Sequence, residues 1–170
     1  MSTALAPPST ESRRARTAVA ALFLTNGALF ANLVPRFPEI KADLALDNAA
    51  YGVAIAAFPA GAVVAGLAAA VVIRRLGSGR AAVLGTILTA IGTVLAGFSP
   101  SLLVFAGALA FAGATDAITD VAQNSHGLRV QRRYGRSIIN SFHAIWSIGA
   151  VLGGSMAPRR SRSACPAPCT

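Results

Sequence analysis

Charged side chains are scarce in this sequence: 12% of its 170 residues are Asp, Glu, Lys or Arg. A soluble domain carries roughly twice that fraction, because polar groups must cover its surface. Hydrophobic residues make up 54% of the chain, and the mean hydropathy is +0.60. The composition therefore excludes an ordinary soluble domain and favours a protein whose surface lies largely in lipid.

Aromatic residues are also few, at 6%, and most of them lie inside apolar runs. The net charge of +9 is compatible with nucleic-acid binding. However, the basic residues occur in short clusters between long apolar segments, and aromatic platforms on which bases would stack are missing. We therefore expect no nucleic-acid partner.

Signatures of enzymes and metal sites are absent from the sequence. The two cysteines, Cys165 and Cys169, lie close to the C-terminus and cannot cross-link the body of the fold. No Cys/His metal spacing, phosphate-binding glycine loop or nucleophile elbow occurs. We expect a protein that is not an enzyme and that uses no metal or cofactor.

Long uncharged runs alternate with the charged clusters, and each run is long enough for a helix to cross a bilayer. The uncharged run 81–115 is too long for one span, and Ser99-Pro100 divides it, since this pair signals a turn and a helix start. Pro59 is expected to kink the second span. We predict an all-α membrane fold, a polytopic bundle of about five transmembrane helices, with spans at about 17–35, 50–73, 81–98, 101–127 and 137–157.

Residues 1–16 are polar and are predicted to form a flexible cytoplasmic tail. Arg13-Arg14 before an apolar run also resembles a twin-arginine signal. The run 17–35 is longer than the apolar region of a typical signal peptide, and further spans follow it. The interpretation as a first membrane helix is therefore favoured.

The loops between the predicted spans alternate in charge. Loops on one side hold Arg36 and Lys41 with three acidic residues, whereas ten arginines lie on the other side. Cytoplasmic loops carry the excess of Lys and Arg. We predict a multi-pass protein of the cell's inner (plasma) membrane with a cytoplasmic N-terminus and the lipid bilayer as a partner. The ten arginines are Arg13, Arg14, Arg16, Arg74, Arg75, Arg80, Arg129, Arg132, Arg133 and Arg136.

Small residues four positions apart are frequent in the apolar runs. Membrane helices approach closely where such residues meet, because lipid supplies no hydrophobic drive between helices. The frequency indicates a tight bundle without identifying any one interface. The pairs are Ala62/Gly66, Gly92/Ala96, Ala106/Ala110, Gly113/Ala117 and Gly149/Gly153.

Polar residues gather on one face of the predicted fourth span. Asp116, Asp120, Gln123 and Asn124 fall within an arc of about 100° on a helix. An ionised carboxylate that faces hydrocarbon is costly, so this face is expected to point at a cavity or a partner and is suited to proton exchange. The alternative is that the span ends earlier and that its last polar residues lie at the membrane interface.

The predicted fifth span places Asn140, His143 and Ser147 on one face. Its short connection to the fourth span predicts that the two helices are antiparallel neighbours, with His143 at the depth of Asp120. A His–Asp pair at this depth could relay protons or bind a polar substrate. The alternative is a structural hydrogen bond between the two helices. The first span carries one polar candidate, Asn26. For this residue taken by itself, a structural role is favoured. The candidates for a substrate or proton pathway are Asp116, Asp120, Asn124, Asn140, His143 and Asn26.

The basic turn after the second span resembles the loop between helices two and three of the major facilitator superfamily. Arg75 and Gly77 match that family's pattern, whereas Arg74 stands where the family has Asp and Ala70 where it has Gly. The resemblance implies a gating loop that contains Arg75, Gly77 and Arg80.

Four stretches are similar to the fucose-permease-like branch of the same family. The resemblance implies a proton-linked carrier of sugars or other small solutes, whose cavity is lined by helices one, two, four and five. Such carriers have twelve helices in two halves. The stretches are Asp120-Val-Ala-Gln-Asn124, Gly135-Arg136, Ser141-Phe-His-Ala-Ile-Trp-Ser-Ile-Gly149 and Pro35-Arg-Phe-Pro-Glu-Ile-Lys41.

The resemblance covers residues 17 to about 157, which predicts the N-terminal fragment of a secondary active transporter, inactive alone. Residues 158–170 change abruptly to a Pro-, Arg- and Cys-rich composition and are expected to be a non-native or frameshifted tail. Two other functions stay open. They are a small dimeric multidrug-type exporter and a membrane protein that does not transport.

Overall fold

A computed structural model describes residues 9–156, and every regular element in that range is a helix. The predicted tail 158–170 therefore lies outside the described residues. A short 3₁₀ helix, Val34–Arg36, connects the first two α-helices. In chain order the α-helices are α1 (Thr10–Leu33), α2 (Phe37–Asp43), α3 (Asn48–Gly66), α4 (Ala69–Leu76), α5 (Ser78–Gly97), α6 (Leu102–Tyr134) and α7 (Ile139–Ser155).

The all-α polytopic membrane bundle predicted from the sequence is confirmed. Within residues 9–156, four helical segments are long and apolar enough to cross a bilayer: Thr10–Asp43, Asn48–Gly66, Ser78–Gly97 and Leu102–Tyr134. Helix α7 has 17 residues and is shorter than these. At 1.5 Å per residue it is about 26 Å long, slightly less than a hydrocarbon core of about 30 Å. A fifth span therefore stays a prediction.

Helix α1 begins earlier than the predicted span. The Oγ of Ser9 accepts the backbone N–H of Ser12 at 3.2 Å, which caps the first turn. Glu11 lies in that turn, where a negative charge interacts favourably with the helix dipole. The prediction of a flexible tail is thus wrong for residues 10–16, whose arginines belong to a helix.

Prolines start helices in this chain more than they interrupt them. Pro35 and Pro38 lie in the first turns of the 3₁₀ helix and of α2, where a missing N–H breaks no bond. The segment expected to be a mixed-charge loop is therefore helical. Pro59 lies inside α3, and the helix continues past it to Gly66. The second predicted span, 50–73, is interrupted at residues 67–68, between α3 and α4.

Helix α6 continues seven residues past its predicted end at 127. Arginine is a good helix former, so the basic segment extends the helix beyond its apolar part. The end comes at Gly135, whose φ of 71° is left-handed and whose N–H bonds back to the carbonyl of Gln131. The basic turn predicted over 129–136 is therefore mostly helix.

Helix α6 is the central element of the bundle, with α3 and α5 packed along it. Helix α7 packs mainly against α1 and touches α6 only slightly. The expected direct pairing of the last two helices is therefore wrong, because α1 contacts both and takes the place of α6 beside α7. Apolar clusters hold α1 at two levels: Leu33 at its end packs near Phe105 of α6, and Phe23 near its middle packs near Phe142 of α7.

The contact between α1 and α7 depends on two glycines of α7. A Cβ on Gly149 would overlap the backbone carbonyl of Leu24, and a Cβ on Gly153 would lie 2.7 Å from the Cα of Ala28. Neither position has room for a side chain, so the helices approach backbone to backbone. By contrast, no atom of residues 9–156 lies within 4 Å of a Cβ built on Gly66, so the predicted pair Ala62/Gly66 marks no tight contact in the described part of the chain.

Candidate functional site

A hydrogen-bonded network joins α6, α1 and α7 inside the bundle. The Nδ2 of Asn26 on α1 donates to the Oδ1 of Asp116 on α6 at 2.7 Å. The Nε1 of Trp146 on α7 donates to the Oδ1 of Asn26, also at 2.7 Å. Asn26 is 4% exposed, and Asp116 is half-buried. Two of the predicted candidates, Asp116 and Asn26, are therefore in direct contact. For Asn26 by itself, the sequence had favoured a structural role.

The chemistry of the partners fixes the direction of the Asn26 amide. An indole N–H can only donate, so the amide oxygen must face Trp146 and the amide N–H must face Asp116. The carboxylate of Asp116 thus receives a directed donor, and such a bond is stronger when the acceptor is charged. A change in the charge of Asp116 therefore alters the strength of its hydrogen bond to α1, and Asn26 connects that bond to Trp146 on α7.

Asp120 lies one turn closer to the arginine-rich end of α6 and is exposed. Its Oδ1 accepts the Nε2 of Gln123 at 2.9 Å, and its backbone carbonyl accepts the Nδ2 of Asn124, also at 2.9 Å. Both bonds stay within α6. This side chain is therefore held by its own helix and not by a neighbouring one.

His143 and Asn140 lie on α7 and are exposed. His143 is close enough to Asp120 to interact with it electrostatically, and its ring packs edge-on against Phe23 with 5.3 Å between centroids. Within residues 9–156, Asp120 has no hydrogen bond to either residue. A direct hydrogen bond between these residues is thus not formed, because α7 packs mainly on α1, and a contact through a bridging water stays a prediction.

Gln123 is 1% exposed, yet its Oε1 has no hydrogen-bond partner in the described part of the chain. A buried acceptor of this kind is suited to a donor such as a water or a hydroxyl group. No group of three or more His, Cys, Asp or Glu within residues 9–156 is arranged to hold a metal ion. The site thus offers hydrogen bonds and one half-buried carboxylate, that of Asp116.

The predicted gating loop connects α4 to α5. Gly77 has a φ of 80°, a conformation that favours glycine, while Arg75 and Arg80 are exposed. The fully buried Ser78 places its Oγ 3.2 Å from the Nδ1 of His126 on α6. The loop is therefore docked on α6 by a serine–histidine contact and not by its arginines.

Sequence reasoning missed three residues of these contacts: Trp146, Ser78 and His126. Trp146 is the single tryptophan of the chain and lies in an apolar run, which is a usable signal for a buried N–H that needs an acceptor. Nothing in the sequence points to the serine–histidine pair, because its members are 48 residues apart.

We expect Trp146→Phe to destabilise the bundle by about 0.5–2 kcal/mol. The ring stays, but the amide oxygen of Asn26 loses its donor, and interhelical hydrogen bonds in membranes are worth about that much. Unfolding in detergent mixtures with increasing dodecyl sulfate, followed by circular dichroism, measures the change. Ser147→Ala is the control, since within residues 9–156 the hydroxyl of Ser147 donates only to the carbonyl of His143 in its own helix. A loss no larger than that of the control would contradict the role of the indole.

No known protein-family model matches the chain, and no solved structure matches it. The chain is 33% identical over 137 residues to a protein of Sinorhizobium fredii (strain NGR234) named uncharacterized transporter y4wD. The matched segment covers 81% of this chain and 36% of that protein, so the chain spans about a third of the length of its relative. The chain is thus an all-α membrane bundle that is similar, over most of its length, to part of a protein named as a transporter.

Proposed function

We propose that this bundle is the N-terminal part of a secondary active transporter of the major facilitator type, which moves a sugar or another small solute together with protons. The observation that carries the proposal is the bond from Asn26 to Asp116. An ionisable group inside a membrane bundle is costly, and it is retained where protons, ions or polar substrates pass. The similarity to a protein named as a transporter supports the same conclusion.

The network gives proton binding a route to helix movement. Protonation of Asp116 removes the charge that strengthens its bond to Asn26. Because Trp146 fixes the other end of the amide, Asn26 cannot rotate freely to find a new acceptor. The contact of α6 with α1 is therefore weakest when the proton is bound, which favours a rearrangement of these helices in the loaded state.

The polar face of α6 supplies groups suited to a hydroxyl-rich solute. Asp120 is exposed, Asn124 is half-buried, and Gln123 holds an unpaired acceptor. His143 and Asn140 are exposed on α7 at the same end of the bundle. We propose that these residues contact the solute, while Asp116 and Asn26 couple its binding to the proton.

The bundle is proposed to act together with further helices. The chain matches only about a third of its relative. Within residues 9–156, α3 exposes large apolar side chains such as Val53, Val63 and Val64, each at least 70% exposed. These side chains are suited to lipid or to packing against further helices. Alternating access needs a second unit against which the first one moves.

A chimera tests the proposed function. The matched segment of the Sinorhizobium transporter is replaced by this bundle, and the protein is reconstituted in liposomes with a panel of labelled sugars and other small solutes. We expect saturable uptake of at least one solute that is faster with an inward proton gradient. The 170-residue chain alone should show none. Saturable transport by the chain alone would favour a self-contained exporter, and no uptake by the chimera would contradict the proposal.

We expect cysteines placed at Asp43 and at Arg75 to be labelled from opposite sides of the membrane. Both positions are exposed at the ends of helices, so the substitutions disturb no packing. The charge of the loops predicts that position 75 lies in the cytoplasm and position 43 outside. With Cys165 and Cys169 replaced by serine, labelling of intact and permeabilised cells with a membrane-impermeant maleimide measures this, and labelling of both positions from one side would refute the orientation.

A further inference from the structure

A cavity of about 400 Å³ lies between the start of α1 and the end of α6, away from the network around Asp116. Its lining includes Glu11 and Ser12 of α1 and His126, Arg129 and Arg133 of α6. It lies where two helices pass the end of their apolar segments, so it opens at the arginine-rich edge of the bundle.

The described residues that line this cavity carry a net positive charge. Two arginines line it, and the single acid in the lining, Glu11, lies 3.9 Å from the Nη1 of Arg133. Both members of that pair are highly exposed, with 71% and 89% of the side-chain surface free, so the pair is weak and easily exchanged. Arg16 is held elsewhere, by the hydroxyl of Tyr134 at 3.2 Å and by its ring. The cavity therefore presents arginine donors to an anion.

An apolar surface begins beside this cavity. The ring of His126 lines the cavity and also lies against Gly79 at the start of α5. A second, shallow hollow of about 430 Å³ starts there and is lined by Gly79, Arg80, Val83 and Leu84. The exposed face of α5 continues it along the helix with Ile87, Leu88 and Ile91, each 41–51% exposed.

We propose that the cavity binds the phosphodiester headgroup of an anionic phospholipid, whose acyl chains lie on the exposed face of α5. Arg129 and Arg133 bind the phosphate oxygens, since guanidinium groups match that geometry. A free anion would use the arginines equally well, but only a lipid also uses the apolar path beside His126. Basic pockets at the cytoplasmic edge of membrane helices recognise lipid headgroups in this way.

The test is native mass spectrometry of the full chain in detergent, titrated with phosphatidylglycerol and with phosphatidylcholine of the same acyl chains. We expect tighter binding of phosphatidylglycerol, which drops about thirtyfold in the double variant Arg129→Gln/Arg133→Gln. Each arginine near an anionic lipid contributes about 1 kcal/mol, and about 1.4 kcal/mol is tenfold. The control is Arg14→Gln/Arg132→Gln, which removes the same amount of charge from residues of α1 and α6 that do not line the cavity, with an expected loss below about threefold.

A variant that binds the lipid more tightly separates the effect on binding from an effect on folding. Glu11→Gln removes the acid from the lining and should raise the affinity for phosphatidylglycerol about fivefold, a change that a damaged fold would not produce. Equal losses in the two double variants, or equal binding of the two lipids, would overturn the proposal. Displacement of phosphatidylglycerol by inorganic phosphate or glycerol phosphate would show a site for free anions and would overturn it as well.

Discussion

Asp116→Asn is expected to lower proton-driven uptake by about 100-fold or more, the effect of removing a positioned proton-transfer group. The amide that replaces the carboxylate still offers an oxygen to Asn26, so the hydrogen bond and the packing are kept. Only the ability to bind and release a proton is lost. Uptake of the solute identified for the chimera, with and without an inward proton gradient, measures the change.

Two variants control this experiment. Asp116→Glu keeps a carboxyl group and should retain part of the gradient-driven uptake. Asp43→Asn removes the same charge from the exposed end of α2 and should leave uptake within about twofold, because surface charges outside the bundle are screened. If Asp116→Asn kept full gradient stimulation, Asp116 would not be the coupling residue.

Gly153→Ala is expected to destabilise the bundle by about 1–3 kcal/mol, the usual cost of overpacking. The added Cβ would lie 2.7 Å from the Cα of Ala28, so α7 must move away from α1. That movement also stretches the bond from Trp146 to Asn26. Because Trp146 is the single tryptophan of the chain, its emission spectrum reports on this contact alone, while unfolding by dodecyl sulfate gives the stability.

The neighbouring glycine provides a matched control. A Cβ on Gly154 would have its nearest neighbour, the carbonyl oxygen of Ala31, at 3.6 Å, an ordinary contact. Gly154→Ala should therefore be neutral or stabilising by up to about 1 kcal/mol, since alanine is the better helix former. Equal effects of the two substitutions would mean that the close approach of α1 and α7 contributes little.

The helices, and the need of Asp116 for a partner, could be predicted from the sequence because both depend on local patterns. Uncharged runs of 17 residues or more have few alternatives to a membrane helix. A carboxylate in the middle of such a run needs a partner, whatever the partner is. The pair Gly149/Gly153 was visible for the same reason, although four other pairs looked equally suitable and the sequence did not rank them.

The hydrogen-bond partners of Asp116 could not be predicted from the sequence, because they depend on which helices are neighbours. A short connection suggested that α7 would pack on α6, whereas α7 packs mainly on α1, and His143 interacts with Asp120 without a hydrogen bond between them. The actual neighbour, α1, is chosen by the two glycines and by Phe142, which stacks on Phe23 with ring centroids 5.4 Å apart. The ends of α1 and α6 were misjudged as well, because a run of arginines ends an apolar segment without ending a helix.

The two hydrogen bonds of Asn26 also set an order for the synthesis of the protein. Its partners on α6 and α7 are 90 and 120 residues further along the chain. At about 5–20 residues per second, the last of them leaves the ribosome about 6–24 s after Asn26 does. During that interval α1 lies in the membrane with an amide that neither partner has reached. The contact between α1 and α7 is therefore expected to form after the other helix contacts of the described bundle. A chaperone or the insertion machinery can bind α1 during that interval.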